Sequence, residues 1–217
     1  MLEDLDLMMK VIVVGNGTVG KTSLITRFVK NVFSMNYKKT LGVDYLQKLM
    51  MVDGEEVTFH VWDTAGQEEF NALTRRYYRG ASACVLAFAT NNRASFEAVK
   101  KWRDAVHNEC GEQITIVLIQ TKIDLIDEAE VNELEAEALA TEMGVPLIRV
   151  CSKDNVMVKE VFEHLASTYF GGQKHLEDNS ASPITNIMDL KKDKPKMGSL
   201  NNNKQRVDYR GNEITVG

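Results

Sequence analysis

The chain has 217 residues, with 44% hydrophobic and 26% charged side chains, the proportions of one soluble globular domain with an appendage. A formal charge of −5 disfavours a dedicated nucleic-acid binder, whose surface is usually basic. Three widely spaced cysteines (Cys84, Cys110, Cys151) match neither a disulfide framework nor a zinc cluster.

The opening Met1-Leu-Glu-Asp-Leu-Asp is acidic where a secretory or transit peptide is basic. Residues 8–14 (MMKVIVV) then form an apolar run, interrupted by Lys10 and closed by Gly15, as in a buried parallel strand. Leu24, Ile25 and Phe28 mark a helix after it. Residues 45–52 and 56–62 flank Asp53-Gly54, a two-residue hairpin signal. Residues 83–89, 114–120 and 146–150 read as further strands.

Three helical stripes separate these strands: Phe96, Val99, Trp102 and Val106; Val131, Leu134 and Ala138 within residues 128–143; and Val158, Val161, Phe162, Leu165 and Tyr169. Strands alternating with helices predict an α/β fold of three layers, its sheet mostly parallel with one antiparallel edge strand from the hairpin. The two richest apolar stretches, 81–90 and 114–119, are far shorter than the ~20 residues that span a bilayer, so a cytosolic or cytosol-facing chain is expected.

A domain over residues 1–170 is expected to end near 169–172. Beyond it, residues 171–217 contain Pro183, Pro195 and Tyr209 as the sole aromatic, a composition too polar to offset ordering entropy, and so predict a flexible tail. The acidity belongs to the first 170 residues, which carry 18 Lys+Arg and 25 Asp+Glu against 8 and 6 in the tail. The tail's lysines read as solvated charge, with a membrane-surface patch as the alternative.

Gly15-Asn16-Gly17-Thr18-Val19-Gly20-Lys21-Thr22 fits G-x-x-x-x-G-K-[ST] between a strand and a helix. Average composition gives a chance match in a chain this long at about one per cent. Glycines let main-chain N–H groups ring a phosphate, and the helix N-terminus behind them favours negative charge. Lys21 supplies a mobile charge for β/γ oxygens, the Thr22 hydroxyl a ligand for Mg²⁺, and Ser23 continues the contact surface.

Asp63-Thr64-Ala65-Gly66-Gln67 closes an alternating strand (Val57, Phe59, Val61), and strand carboxyl ends line the crevice in such folds. Asp63 there can hold Mg²⁺, the Gly66 N–H can approach a γ-phosphate, and Gln67 can orient an attacking water. Between the two motifs lies Tyr37-Lys38-Lys39-Thr40-Leu41-Gly42, with Tyr37 and Thr40 as candidate contacts. The Thr40 hydroxyl could complete the metal shell in a loop that orders with triphosphate and relaxes with diphosphate.

Strand 114–120 ends in Thr121-Lys122-Ile123-Asp124. A carboxylate at Asp124 can accept from guanine N1–H and the 2-amino group, and rejects adenine by being left unpaired. The Lys122 stem can cover the base, and Cys151-Ser152-Lys153 follows the last strand, where a main-chain N–H could meet the guanine carbonyl.

Together these residues resemble the Ras superfamily of small GTPases, a P-loop NTPase fold with a six-stranded sheet. Gly42-Val43-Asp44-Tyr45, Trp62 through Phe70 (WDTAGQEEF) and Tyr77-Tyr78-Arg79-Gly80-Ala81 resemble the Rab family. The runs GNGTVGK, YKKTLGVDY, SFEAV and EAEALA are most similar to its Rab twenty-three branch.

The resemblance implies GDP/GTP binding with Mg²⁺ held by Thr22, Thr40 and Asp63, and Phe33 stacked on the base. It implies a monomeric switch in vesicle trafficking, with a ciliary or flagellar role from the branch. Exchange factors, activating proteins and effectors would read segments 34–44 and 64–80. Trp62 and Tyr78, with Tyr45 nearby, would form an aromatic effector patch or else pack in the core.

Three departures stand out. Thr121 replaces the usual asparagine, which implies guanine specificity with altered affinity. Cys151-Ser152 replaces Ser-Ala, placing sulfur near the base. No cysteine follows Cys151, so the prenyl anchor is missing, through truncation or because partners supply membrane contact. The alternative function is a nucleotide-stabilised interaction module with little turnover.

Overall fold

The computed structural model describes residues 7–36, 40, 42–64 and 76–177. The elements run β1 (Leu7–Val14), α1 (Lys21–Lys30), β2 (Val43–Val52), β3 (Glu55–Thr64), β4 (Ala83–Ala89), α2 (Arg93–Glu97), α3 (Val99–Cys110), β5 (Thr115–Thr121), α4 (Glu133–Met143), β6 (Leu147–Arg149) and α5 (Val158–Glu177). They build a six-stranded sheet in the order β2-β3-β1-β4-β5-β6. Every pairing is parallel except β2 with β3. The expected three-layer α/β fold with one antiparallel edge strand is therefore the fold observed.

Burial explains the sheet's centre. All seven residues of β4 are buried, as are the last four of β1, because helices cover both faces there. On one face, Phe28 of α1 stacks on Phe162 of α5 at 3.6 Å between centroids, and Phe59 of β3 meets both edge-on. On the other, Ile12, Leu86, Phe88 and Leu118 pack with Val99, Trp102 and Val106 of α3 and Ala136, Leu139 and Ala140 of α4. The hairpin turns at Asp53 and Gly54, whose φ values of 51° and 85° suit the two-residue turn that matches strand twist.

Four expectations need correction. The stripe through 96–106 is split into two helices at Ala98, and α2 is capped by Asn92, whose side chain accepts the Ser95 N–H at 2.8 Å. The helix expected over 128–143 starts only at Glu133, after a short 3₁₀ turn at Ile126–Glu128. A capping box sets that start: Asn132 Oδ1 accepts the Glu135 N–H at 2.9 Å, and Glu135 Oε2 accepts the Asn132 N–H at 3.3 Å.

Third, the phase of that helix differs. Val131 is buried but precedes the cap, whereas Leu134 is 77% exposed and Ala138 is also exposed. Counting the stripe from a residue outside the helix put its apolar face on the wrong side. Finally, α5 runs past Gly171 and Gly172 to Glu177, so the boundary expected near 169–172 falls inside a helix. Residues 178–217 of the expected tail lie outside the described residues. Among the described residues, no helix is long and apolar enough to cross a membrane.

Candidate functional site

Parallel strands deliver their carboxyl ends to one edge of the sheet. A cleft of about 980 Å³ opens there, lined by Gly17, Thr18 and the start of α1, by Phe33 and Thr40, by Thr121, Lys122 and Asp124, and by Ser152 and Lys153. Thr26, Lys30 and Leu125 also line it and had no motif to reveal them. Tyr37, Gly66 and Gln67 lie outside the described residues.

The loop after β1 is bent by its glycines and one strained threonine. At Gly15, φ is +143° and a Cβ would stand 2.2 Å from the Ala87 carbonyl oxygen, so no other residue fits. Thr18 and Gly20 are left-handed at φ 64° and 95°, the alternation that turns main-chain amides toward one concavity. No side chain caps α1, and no carboxylate stands in its first turn. That arrangement suits an anion. Lys21 is buried, and its Nζ donates to Gly15 O at 2.7 Å and Asn16 O at 2.9 Å.

Beside Lys21 three oxygen-bearing side chains converge. The Thr22 hydroxyl donates to Asp63 Oδ2 at 2.5 Å and lies 2.8 Å from Thr40 Oγ1. Burial pushes the Asp63 carboxyl up from its ordinary range, while the Thr22 hydrogen bond and the Lys21 charge pull it back. Its Oδ1 is buried with no hydrogen-bond partner. Two hydroxyls and a carboxylate with an unsatisfied oxygen fit a hard cation such as Mg²⁺.

At the opposite end, Thr121 is buried, and its hydroxyl reaches Val19 O at 2.6 Å and Phe88 O at 3.0 Å. It ties the first loop and the end of β4 to the end of β5. Lys122 follows in a left-handed conformation at φ 57°. Asp124 Oδ1 lies 3.3 Å from Cys151 Sγ and Oδ2 lies 3.8 Å from Lys153 Nζ.

The thiol of Cys151 also faces Asp154 Oδ2 at 3.2 Å, and burial pushes it up to about 11 despite the opposing Asp154 N–H. Of the predicted nucleotide contacts among the described residues, Gly15, Asn16, Val19 and Cys151 are not in the cleft lining. Sequence reasoning missed Arg27, whose Nε and Nη2 donate to Ser152 O at 2.7 Å and Lys153 O at 2.9 Å. Its guanidinium also lies 5.9 Å from the Phe33 ring. A polar residue on a helix face carries no sign of such a reach.

The aromatic patch is resolved residue by residue. Trp62 lies between Tyr45 and Tyr77, at 5.3 and 5.7 Å between ring centroids, with Lys10 Nζ 4.8 Å from the indole. Tyr77 is 43% exposed, whereas Tyr78 is 2% exposed and belongs to the core. The packing alternative therefore holds for Tyr78.

The Ras family model matches residues 10–170 of the chain. The Ypt/Rab-type GTPase YPT7 of Saccharomyces cerevisiae is 42% identical over 165 residues, which cover 73% of this chain and 79% of that protein.

Proposed function

Because the chain belongs to the Ras family as a Rab-type small GTPase, a GTP hydrolase, we propose that this cleft binds GDP or GTP along its whole length. The protein then acts as a switch in intracellular vesicle trafficking at the cytosolic face of endomembranes. One observation carries the site reading: Asp63 Oδ1 is buried without a partner, beside the Thr22 and Thr40 hydroxyls and the Lys21 ammonium.

Residues 15–22 grip the β- and γ-phosphates through main-chain amides and Lys21. Thr22, Thr40 and Asp63 hold Mg²⁺, which when bound neutralises charge on the phosphate oxygens. Asp124 accepts from guanine N1–H and the 2-amino group, Lys122 covers one face of the base, and Phe33 stacks against it. Gln67 orients the attacking water, a role that rests on its place in the Asp63-Thr64-Ala65-Gly66-Gln67 motif.

Tyr45 and Trp62 flank the proposed switch segments 34–44 and 64–80, Tyr77 lies within the second, and the three form a surface for effectors; exchange factors and activating proteins act on the same segments. The runs GNGTVGK and YKKTLGVDY support a cilium or flagellum as the compartment, which imaging of the tagged full chain would test.

The decisive experiment is competition for the purified protein between GDP, GTP and ATP, with and without EDTA. Retention of guanine nucleotide, faster release in EDTA and indifference to ATP are expected. Equal affinity for ATP, or no binding of any of the three, would sink the reading. For the catalytic role, Gln67→Leu keeps binding and slows hydrolysis at least tenfold; equal single-turnover rates would remove Gln67 from it.

A further inference from the structure

We propose that Asn16 and Trp102 are a pair of positioning residues that clamp the phosphate loop to the core of α3 and slow nucleotide release. Asn16 sits inside the phosphate motif, yet its side chain turns away from the cleft. Its Oδ1 accepts the indole Nε1–H of Trp102 at 2.7 Å, and its Nδ2 donates to the Ala94 carbonyl of α2 at 3.4 Å. Trp102 is 3% exposed and packs in the core between β4 and α3. A buried indole N–H needs an acceptor, and here the phosphate loop supplies it.

The main chain of Asn16 completes the connection. Its carbonyl oxygen accepts from Lys21 Nζ at 2.9 Å, next to the 2.7 Å bond from the same ammonium to Gly15 O. Two hydrogen bonds in series therefore join α3 to the charge that faces the phosphates. With the indole bond cut, the Asn16 carbonyl is held less firmly, and so is the ammonium that donates to it. A nucleotide is then held by a loop that relaxes more often, so its release quickens.

The inference rests on the reading of the cleft as a nucleotide site, and the test separates the two. Release of tritiated GDP into excess unlabelled GDP is followed for the full chain and for Trp102→Phe, Asn16→Leu and the double variant. Trp102→Phe speeds release about three- to tenfold, the worth of one hydrogen bond, and Asn16→Leu, which also cuts the bond to the Ala94 carbonyl, by at least as much. The double variant is no faster than the faster single one, because both cut one connection. Asn16→Asp, which keeps an acceptor oxygen, falls between wild type and Asn16→Leu.

A spectroscopic readout distinguishes positioning from packing. The chain has two tryptophans, so Trp62→Phe leaves Trp102 as the sole tryptophan, excited selectively at the red edge where tyrosine does not absorb. Its emission shifts when EDTA strips GDP, and Asn16→Leu removes the shift. Multiplying effects in the double variant, or unchanged release with lowered thermal stability, would overturn the pair. Failure of wild type to retain GDP would remove the nucleotide reading and this inference with it, whereas equal release rates on a GDP-binding protein would remove the inference alone.

Discussion

The two ends of the cleft solve opposite problems. At the phosphate end, Asp63 is 2% exposed with one oxygen unpartnered, Thr18 is held at a positive φ, and α1 starts without a side-chain cap. At the base end, Asp124 already faces the Cys151 thiol and the Lys153 ammonium, while Arg27 pins the carbonyls of Ser152 and Lys153. The first end carries unmet electrostatic demand that a ligand relieves, so it should supply most of the affinity. At the second the carboxylate already has partners, so on the proposed reading guanine adds less net energy there. What the base end would supply on that reading is discrimination against a base that offers Asp124 no donors.

That division can be broken from either side, and the largest effect is expected at Lys21. Lys21→Met removes the buried ammonium proposed to face the phosphates, so GDP affinity should fall roughly a hundred- to a thousandfold. The preference for GDP over ADP should not move. Calorimetry with both nucleotides checks this, and a changed preference would mean that the ends are not separable.

Asp124→Ala is the converse. The preference for GDP over ADP should fall by about a hundredfold, from the loss of the two hydrogen bonds proposed to guanine. Most of the phosphate-derived affinity should persist. If GDP binding were abolished outright, affinity would not be concentrated at the phosphate end.

How far these ends could be read in advance follows from sequence distance. The phosphate loop was legible because its residues are local: Gly15, the left-handed positions Thr18 and Gly20, and Lys21 lie within eight consecutive residues. The Asp53-Gly54 hairpin was legible for the same reason. The supports were not. Trp102 meets Asn16 across 86 residues, and Arg27 reaches Ser152 across 125, and neither contact leaves a periodic trace. Tyr77 and Tyr78 are neighbours of one type in a turn without a period, so only the tertiary path decides which is buried. The phase of α4 failed through its cap, since Asn132 starts the helix after Val131.

A smaller effect sharpens the view of the base end as already paired. With the Cys151 thiol pushed up to about 11, its thiolate fraction at pH 9 is about one per cent, against roughly half for an ordinary thiol. Iodoacetamide should modify Cys151 roughly fiftyfold more slowly in the native protein than in urea at pH 9, read by mass of the peptide containing residue 151. The linked stability has a definite sign: a thiol raised in the native state favours folding below about pH 9 and loses that contribution as pH rises toward 11. Cys84 and Cys110 are also pushed up by burial, so the Cys151 share is the part of the alkaline stability loss that Cys151→Ser removes. Rapid native alkylation would show that the thiol does not face Asp124 as a neutral donor.

The smallest expected effect belongs to the residue that spans both ends. The Thr121 hydroxyl has one proton for two buried carbonyls, Val19 O on the phosphate loop and Phe88 O at the end of β4. Thr121→Val keeps the shape, removes the donor and leaves both oxygens without it, which should cost about 1–3 kcal/mol of stability. Thr121→Ser keeps the hydroxyl and should recover most of that loss, as urea midpoints at constant m-value would show. The consequence for binding discriminates further. If the tether only stabilises the fold, GDP and ADP affinities fall together and their ratio holds. If it also fixes where Asp124 stands relative to the phosphates, the ratio falls as well, and the two ends are one rigid ruler measured against the length of a guanine nucleotide.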